Sequence, residues 1–200
     1  MKPRRLHRAT ILSIVTGSLI GAACYSSLGG LLSATVARML IVGGGCPGRR
    51  LAAGLVEDGH AVRITTRSEA GREAIESCGA ECWVGTPDRL ATLRGALDSV
   101  TLVFWLLGSA VGSEEELRAL YGTRLEFFLT QAIDTTVRGF VYGARGSTVP
   151  AEVLAEGERT VRAMTERSQI PAAFLMADPG ELAGWLAEAR GAVEMLLGSG

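Results

Sequence analysis

Met39-Leu40-Ile41-Val42-Gly43-Gly44-Gly45-Cys46-Pro47-Gly48-Arg49-Arg50-Leu51 is the stretch on which the reading of this chain turns. Met39 to Val42 are four apolar residues in a row, the pattern of a parallel strand buried on both faces. Gly43, Gly45 and Gly48 then fall in G-x-G-x-x-G spacing, and Leu51, Leu55 and Val56 recur at helical spacing. Strand, glycine turn and helix in that order make a dinucleotide-binding unit. Gly43 permits the tight turn, Gly45 lets the backbone approach a pyrophosphate, and Gly48 lets the helix pack close to the strand. The free N–H groups at the helix start, aided by the dipole, suit phosphate. The plain alternative is a glycine turn with an empty pocket.

The next strand bears on which nucleotide is held. Gly59 caps the first helix, and Ala61-Val62-Arg63-Ile64-Thr65-Thr66 alternates with β-branched residues. An NAD site usually has an acid at the end of this strand to hold the ribose hydroxyls. Here the chain reads Thr65-Thr66-Arg67, with no acid before Glu69. An arginine fork accepts a 2′-phosphate that an acid would repel, so NADP is expected ahead of NAD. Arg49 and Arg50 support this modestly, because cations in the first turn of a helix oppose its dipole unless an anion is near. The plain alternative makes all three solvated surface arginines.

Downstream, strands and helices alternate. We expect a helix over residues 69–78, a strand over 80–85, a helix opened by Pro87-Asp88 and running through Leu97, and an apolar strand over 100–107. A loop over 108–112 follows, then a long helix over 114–133, a strand over 139–143, a helix over 151–168, a strand over 172–176 and a closing helix over 182–197. This predicts an α/β fold: a doubly wound parallel sheet of about six strands with helices on both faces. Gly43, Gly45, Cys46, Pro47, Gly48 and Arg49 in the glycine turn, Arg67 after strand two, and Leu107 and Gly108 after strand four are the candidate cofactor-binding residues.

Composition sets the boundaries. Two hundred residues suit one domain, and a net charge of −1 argues against a nucleic-acid surface. The charge is uneven: residues 1–38 hold Lys2, Arg4, Arg5, Arg8 and Arg38 with no acid, a charge of +5, which leaves −6 for residues 39–200. That break divides a basic and apolar N-terminal segment, 1–38, from a nucleotide-binding domain, 39–200. Ile11 to Ala37 is 27 residues without a charge. Three readings stay open: Met39 as the true start, a membrane anchor through residues 11–37, or a cleaved signal. A positive flank ahead of an apolar stretch keeps the N-terminus inside, which would export the domain from its nicotinamide pool. The expected location is therefore cytoplasmic, with membrane association through residues 11–37 as the open alternative. Cys24, Cys46, Cys78 and Cys82 make no C-x-x-C pair, and with only His7 and His60 no metal site is expected. Buried free thiols are expected for Cys78 and Cys82.

From Met39 to about Pro179 the chain resembles the short-chain dehydrogenase/reductase superfamily, in particular its atypical branch of NAD(P)H-binding regulator-like proteins. The glycine turn carries the likeness, with Gly59-His60-Ala61-Val62 leading to Arg67, Gly122-Thr123-Arg124-Leu125, and Phe140-Val141-Tyr142. The resemblance implies a Rossmann sheet of six strands or more and NADP as ligand. It also implies a serine after strand five and a Tyr-x-x-x-Lys pair in catalytic members, the tyrosine as acid/base and the lysine lowering its pKa. This chain departs there. No tyrosine follows Tyr142, the single lysine is Lys2, and Ser147 near the serine position has no partner. Thr86 stands where an acid often follows strand three near the adenine. The chain also ends soon after strand six, where catalytic relatives add a substrate domain.

No catalytic residue is therefore assigned. Tyr121, Tyr142, Trp83, Trp105 and Trp185 are expected in the core or an interface, and Asp178 as a turn residue before Pro179. His60 lies in the turn before strand two, away from the ligand edge, which excludes a Ser-His-Asp triad. The expected function is binding of a nicotinamide dinucleotide in a redox-sensing or regulatory role, with the protein partner unnamed. The alternative is an NADP-dependent reductase or epimerase, and the third reading is a relic without ligand.

Overall fold

The structure is a computed structural model and describes residues 36–198. The expectations for the N-terminal segment, membrane association among them, fall on residues outside that range, apart from its last three. Ala37 is buried, and Arg38 already pairs with Ala61. Arg38, placed in the N-terminal segment by charge, is the first residue of the first strand.

Six parallel strands form one sheet: β1 (Arg38–Val42), β2 (Ala61–Thr66), β3 (Glu81–Val84), β4 (Leu102–Trp105), β5 (Gly139–Gly143) and β6 (Ala172–Leu175), in the order β3-β2-β1-β4-β5-β6. Met39, Leu40, Ile41 and Val42 are fully buried and pair with β2 on one side and β4 on the other. Their side chains alternate between the two faces, as the pleat requires. Met39 and Ile41 pack with Leu51 and Leu55 of α1 (Cys46–Glu57) and with Trp185, Ala189 and Val193 of α6 (Leu182–Gly198). Leu40 and Val42 pack on the opposite face with α3 (Glu114–Tyr121), α4 (Thr123–Ile133) and α5 (Ala151–Ser168). The chain reverses its winding between β1 and β4, and that switch point opens a crevice at the carboxyl ends of the strands.

Three expected helices come out differently. Residues 69–78 give a 3-10 turn and then the five-residue α2 (Arg72–Glu76). Gly71 packs so close to Thr66 that a Cβ would lie 2.3 Å from its hydroxyl. The stretch through Leu97 is two 3-10 turns, Leu90–Leu93 and Gly95–Leu97. Side chains take the carbonyls that an α-helix would use: Trp83 Nε1 donates to Thr92 O at 2.7 Å, and the buried Arg63 donates to Ala96 O at 2.6 Å. The helix expected over 114–133 breaks at Gly122, whose φ −102° and ψ −104° are not helical. Its start is firm, because Ser113 and Glu116 cap each other reciprocally.

The borders of the sheet carry charge. On β3, Glu81 pairs with Arg63 at 3.0 Å and Arg38 at 3.5 Å. On β6, the Arg162 guanidinium lies 3.9 Å above the Phe174 ring. Just beyond β6, Glu188 accepts from the N–H groups of Met176 at 2.9 Å and Ala177 at 2.8 Å.

Candidate functional site

The glycine turn sits at the centre of the crevice. Gly43 has φ +125°, and a Cβ there would lie 2.2 Å from Leu106 O, so any side chain is excluded twice over. Gly48 brings α1 against β1: its Cβ would lie 2.6 Å from Gly43 O. Gly45 differs, since a Cβ would meet only Ser109 Oγ at 3.4 Å and Pro47 Cδ at 3.9 Å. Its missing side chain leaves open the space in the crevice. Gly45 is also the N-cap of α1; no side chain caps that end, and its first turn holds no acid. The positive end of the helix therefore faces the crevice uncompensated. Gly43 N donates to Thr65 Oγ1 at 3.3 Å, and the Arg49 guanidinium donates to Gly44 O.

Two lobes flank this turn, sharing Gly45, Leu106 and Ser109 as lining residues. The first, about 330 Å³, lies over the ends of β1, β2 and β3, and Gly43, Arg67 and Leu107 line it with Thr65, Thr66 and Asp88. Arg67 is exposed at this lobe, and no carboxylate occupies the end of β2. Asp88 is engaged: Thr86 Oγ1 donates to it at 3.0 Å, and Arg124 pairs with it at 2.6 Å. The second lobe, about 350 Å³, lies over the ends of β4, β5 and β6. Cys46, Pro47, Gly48 and Gly108 line it together with Arg145, Ser147, Pro179 and Trp185.

Eight of the nine candidate residues thus border one or other lobe. Arg49 borders neither and braces the turn through Gly44 O. Sequence reasoning missed Ser109, Asp88 and Arg145 as lining residues. Asp88 had a legible signal, an acid two residues beyond Thr86, whereas Ser109 and Arg145 sit in loops whose meeting only the fold reveals.

Tyr121 and Tyr142 are fully buried, and neither lines a lobe. The Tyr142 hydroxyl donates to Leu154 O at 2.7 Å, and burial raises both phenols well above their ordinary pKa. Trp105 and Trp185 are buried, and Asp178 Oδ1 accepts from Gly180 N at 2.8 Å in a local turn. His60 Nδ1 accepts from Ala37 N at 3.3 Å, at the amino ends of the strands. Cys46, Cys78 and Cys82 are free thiols; Cys78 and Cys82 are half-buried rather than fully so. Among the described residues no cluster could hold a metal ion, and no helix is long and apolar enough to cross a membrane.

No family model matches this chain, and no curated protein matches it. Solved structures do. The crystal structure of gox2253 superposes with a TM-score of 0.57 at 23% identity, over 68% of this chain and 49% of that one. Vestitone reductase from alfalfa gives 0.56 at 15% identity, over 69% and 55%. Triphenylmethane reductase from Citrobacter sp., solved with NADP(H), gives 0.51 at 19% identity, over 68% and 48%. With the strand order, these matches decide the architecture. The chain has a Rossmann fold. It is the fold that the resemblance to the short-chain dehydrogenases/reductases implies, and the chain spans about half the length of the solved structures it matches.

Proposed function

We propose that this protein binds a nicotinamide dinucleotide, NADP(H) ahead of NAD(H), in a redox-sensing or regulatory role rather than as an acid/base hydride-transfer enzyme. The observation that carries this reading is the first lobe: Arg67 and two threonines stand at the end of β2 beside the glycine turn, with no acid among them. The adenosine half would lie there, with its 2′-phosphate at Arg67. The diphosphate would cross Gly45 at the start of α1, and the nicotinamide half would enter the second lobe past Gly108. The solved neighbour that carries NADP(H) is in keeping with this. The non-catalytic part rests on the tyrosines: Tyr121 and Tyr142 are buried away from both lobes, and the single lysine is Lys2.

A second reading, an NADP-dependent reductase or epimerase of the atypical short-chain kind, is favoured by the second lobe and by the reductases among the neighbours. It needs a proton donor other than Tyr121 or Tyr142.

Titration of the protein and Arg67→Ala with NADPH and NADH tests the first reading. A charge-assisted contact to a phosphate contributes about 1.5–3 kcal/mol, less at an exposed rim. Arg67→Ala is therefore expected to weaken NADPH about tenfold and to leave NADH unchanged. A preference for NADH in the unaltered protein, or equal weakening of both cofactors, overturns the choice of NADP. Turnover of NADPH with a carbonyl substrate would favour the second reading.

A further inference from the structure

We propose that the second lobe receives a small apolar carboxylic acid and that Arg145 is the residue that recognises its charge. This rests on the reading of the crevice as a dinucleotide site and names the class of molecule that would sit beside the dinucleotide.

The lobe has one cation and no carboxylate among its lining residues. Arg145 makes one long hydrogen bond, from Nε to Met176 O at 3.4 Å, and no ion pair. Two acids that follow β6 are occupied elsewhere: Glu188 holds the N–H groups of Met176 and Ala177, and Asp178 holds that of Gly180. An arginine with spare donors beside an uncapped helix start makes a positive cavity. The planar guanidinium suits a carboxylate in two-point contact. Pro47, Leu106, Pro179 and Trp185 supply apolar wall, and Ser109 and Ser147 line the same lobe.

The backbone that carries Arg145 is held in place. A Cβ on Gly146 would lie 2.3 Å from Gly108 O, and one on Gly108 would lie 2.5 Å from Arg145 O. Thr148 Oγ1 donates to Ala110 O at 2.9 Å, and Ala144 N donates to Leu175 O at 3.0 Å. The loops after β4 and β5 thereby meet at the lobe that Arg145 borders.

Calorimetry on the full chain with 2-naphthoate and with its uncharged amide tests this, in the presence and absence of NADPH. The acid is expected to bind and the amide to bind at least about tenfold more weakly. Arg145→Gln is expected to weaken the acid by a similar factor and to leave the amide unchanged, and an unaltered urea midpoint shows that the variant is folded. Equal binding of acid and amide overturns the proposal. So does a variant that loses NADPH along with the acid, which would assign Arg145 to the dinucleotide. NADPH binding without naphthoate binding in the unaltered protein sinks this inference alone, whereas absence of NADPH binding sinks the reading of the crevice.

Discussion

Two pairs of glycines hold the floor of the crevice, and they differ in how they are written into the chain. Gly43 and Gly48 are five positions apart, inside one motif, and bring α1 onto β1. Gly108 and Gly146 stand 38 positions apart, in no motif, and press the loop after β4 against the loop after β5. Both contacts are backbone on backbone, and both leave no room for a methyl group. The first pair also needs a backbone conformation that L side chains rarely adopt, at Gly43, whereas Gly146 has no positive φ. A turn that is strained and crowded is set by its residues; a contact that is only crowded can yield by a loop shift. The half of the crevice over β1 and β2 should therefore be the more rigidly specified one.

A methyl group added to each pair tests this difference in rigidity. Gly43→Ala combines a clash with backbone strain and is expected to cost about 3–4 kcal/mol of stability. Gly146→Ala meets a clash that the loop can relieve and should cost about 1–2 kcal/mol. Urea midpoints read both, and equal losses would erase the distinction drawn here.

Gly45→Val sharpens it from the side of function. The space around Gly45 accepts a side chain without serious overlap, so stability should change by less than about 1 kcal/mol. The branched side chain then stands where the diphosphate would pass, and affinity for NADPH and NADH should fall together by more than about tenfold. Unimpaired binding of both would show that the nucleotide does not cross the turn at Gly45.

The smallest effect belongs to the amino ends of the strands, where His60 accepts from Ala37 N. Burial holds its imidazole below the ordinary value, against the pull of Asp58. Above that ordinary value His60 is neutral whether folded or unfolded, so stability is flat there. As pH falls below it, the unfolded chain takes a proton that the folded one resists, and stability declines. His60→Gln should flatten the change in urea midpoint between about pH 8 and pH 5. A variant with the same slope would place the titration elsewhere.

How much of this was legible follows from where the causes lie in the chain. The strands were legible because Met39 to Val42, Leu102 to Trp105 and Phe140 to Tyr142 are apolar on both faces, and their parallel run follows from the βα alternation. The helix through Leu97 was misread because its period is apolar and helical. What undoes it is Arg63 and Trp83, on strands that lie alongside only after folding. Gly122 was seen as part of a motif but not as a break. In the site, the tight turn at Gly43 and the close packing at Gly48 were legible since their geometry is local. Arg145 and Ser109 escaped because no spacing marks them: they face one cavity only once β4 and β5 are neighbours. Arg49 was placed at the phosphates by sequence, and its guanidinium turns out to hold the carbonyl of Gly44.

The β6 end of the sheet governs how this molecule meets copies of itself. A border strand presents unpaired backbone groups on which another chain can build. Here Glu188, from the last helix, occupies the N–H groups of Met176 and Ala177, and Arg162 roofs over the Phe174 ring. An incoming strand that ran on past Leu175 would have to dislodge a carboxylate held by two donors. The same two side chains that finish the fold thus raise the barrier to sheet-by-sheet association. A substitution at Glu188 would be felt first in how concentrated a solution stays clear, and only afterwards in the stability of a single molecule.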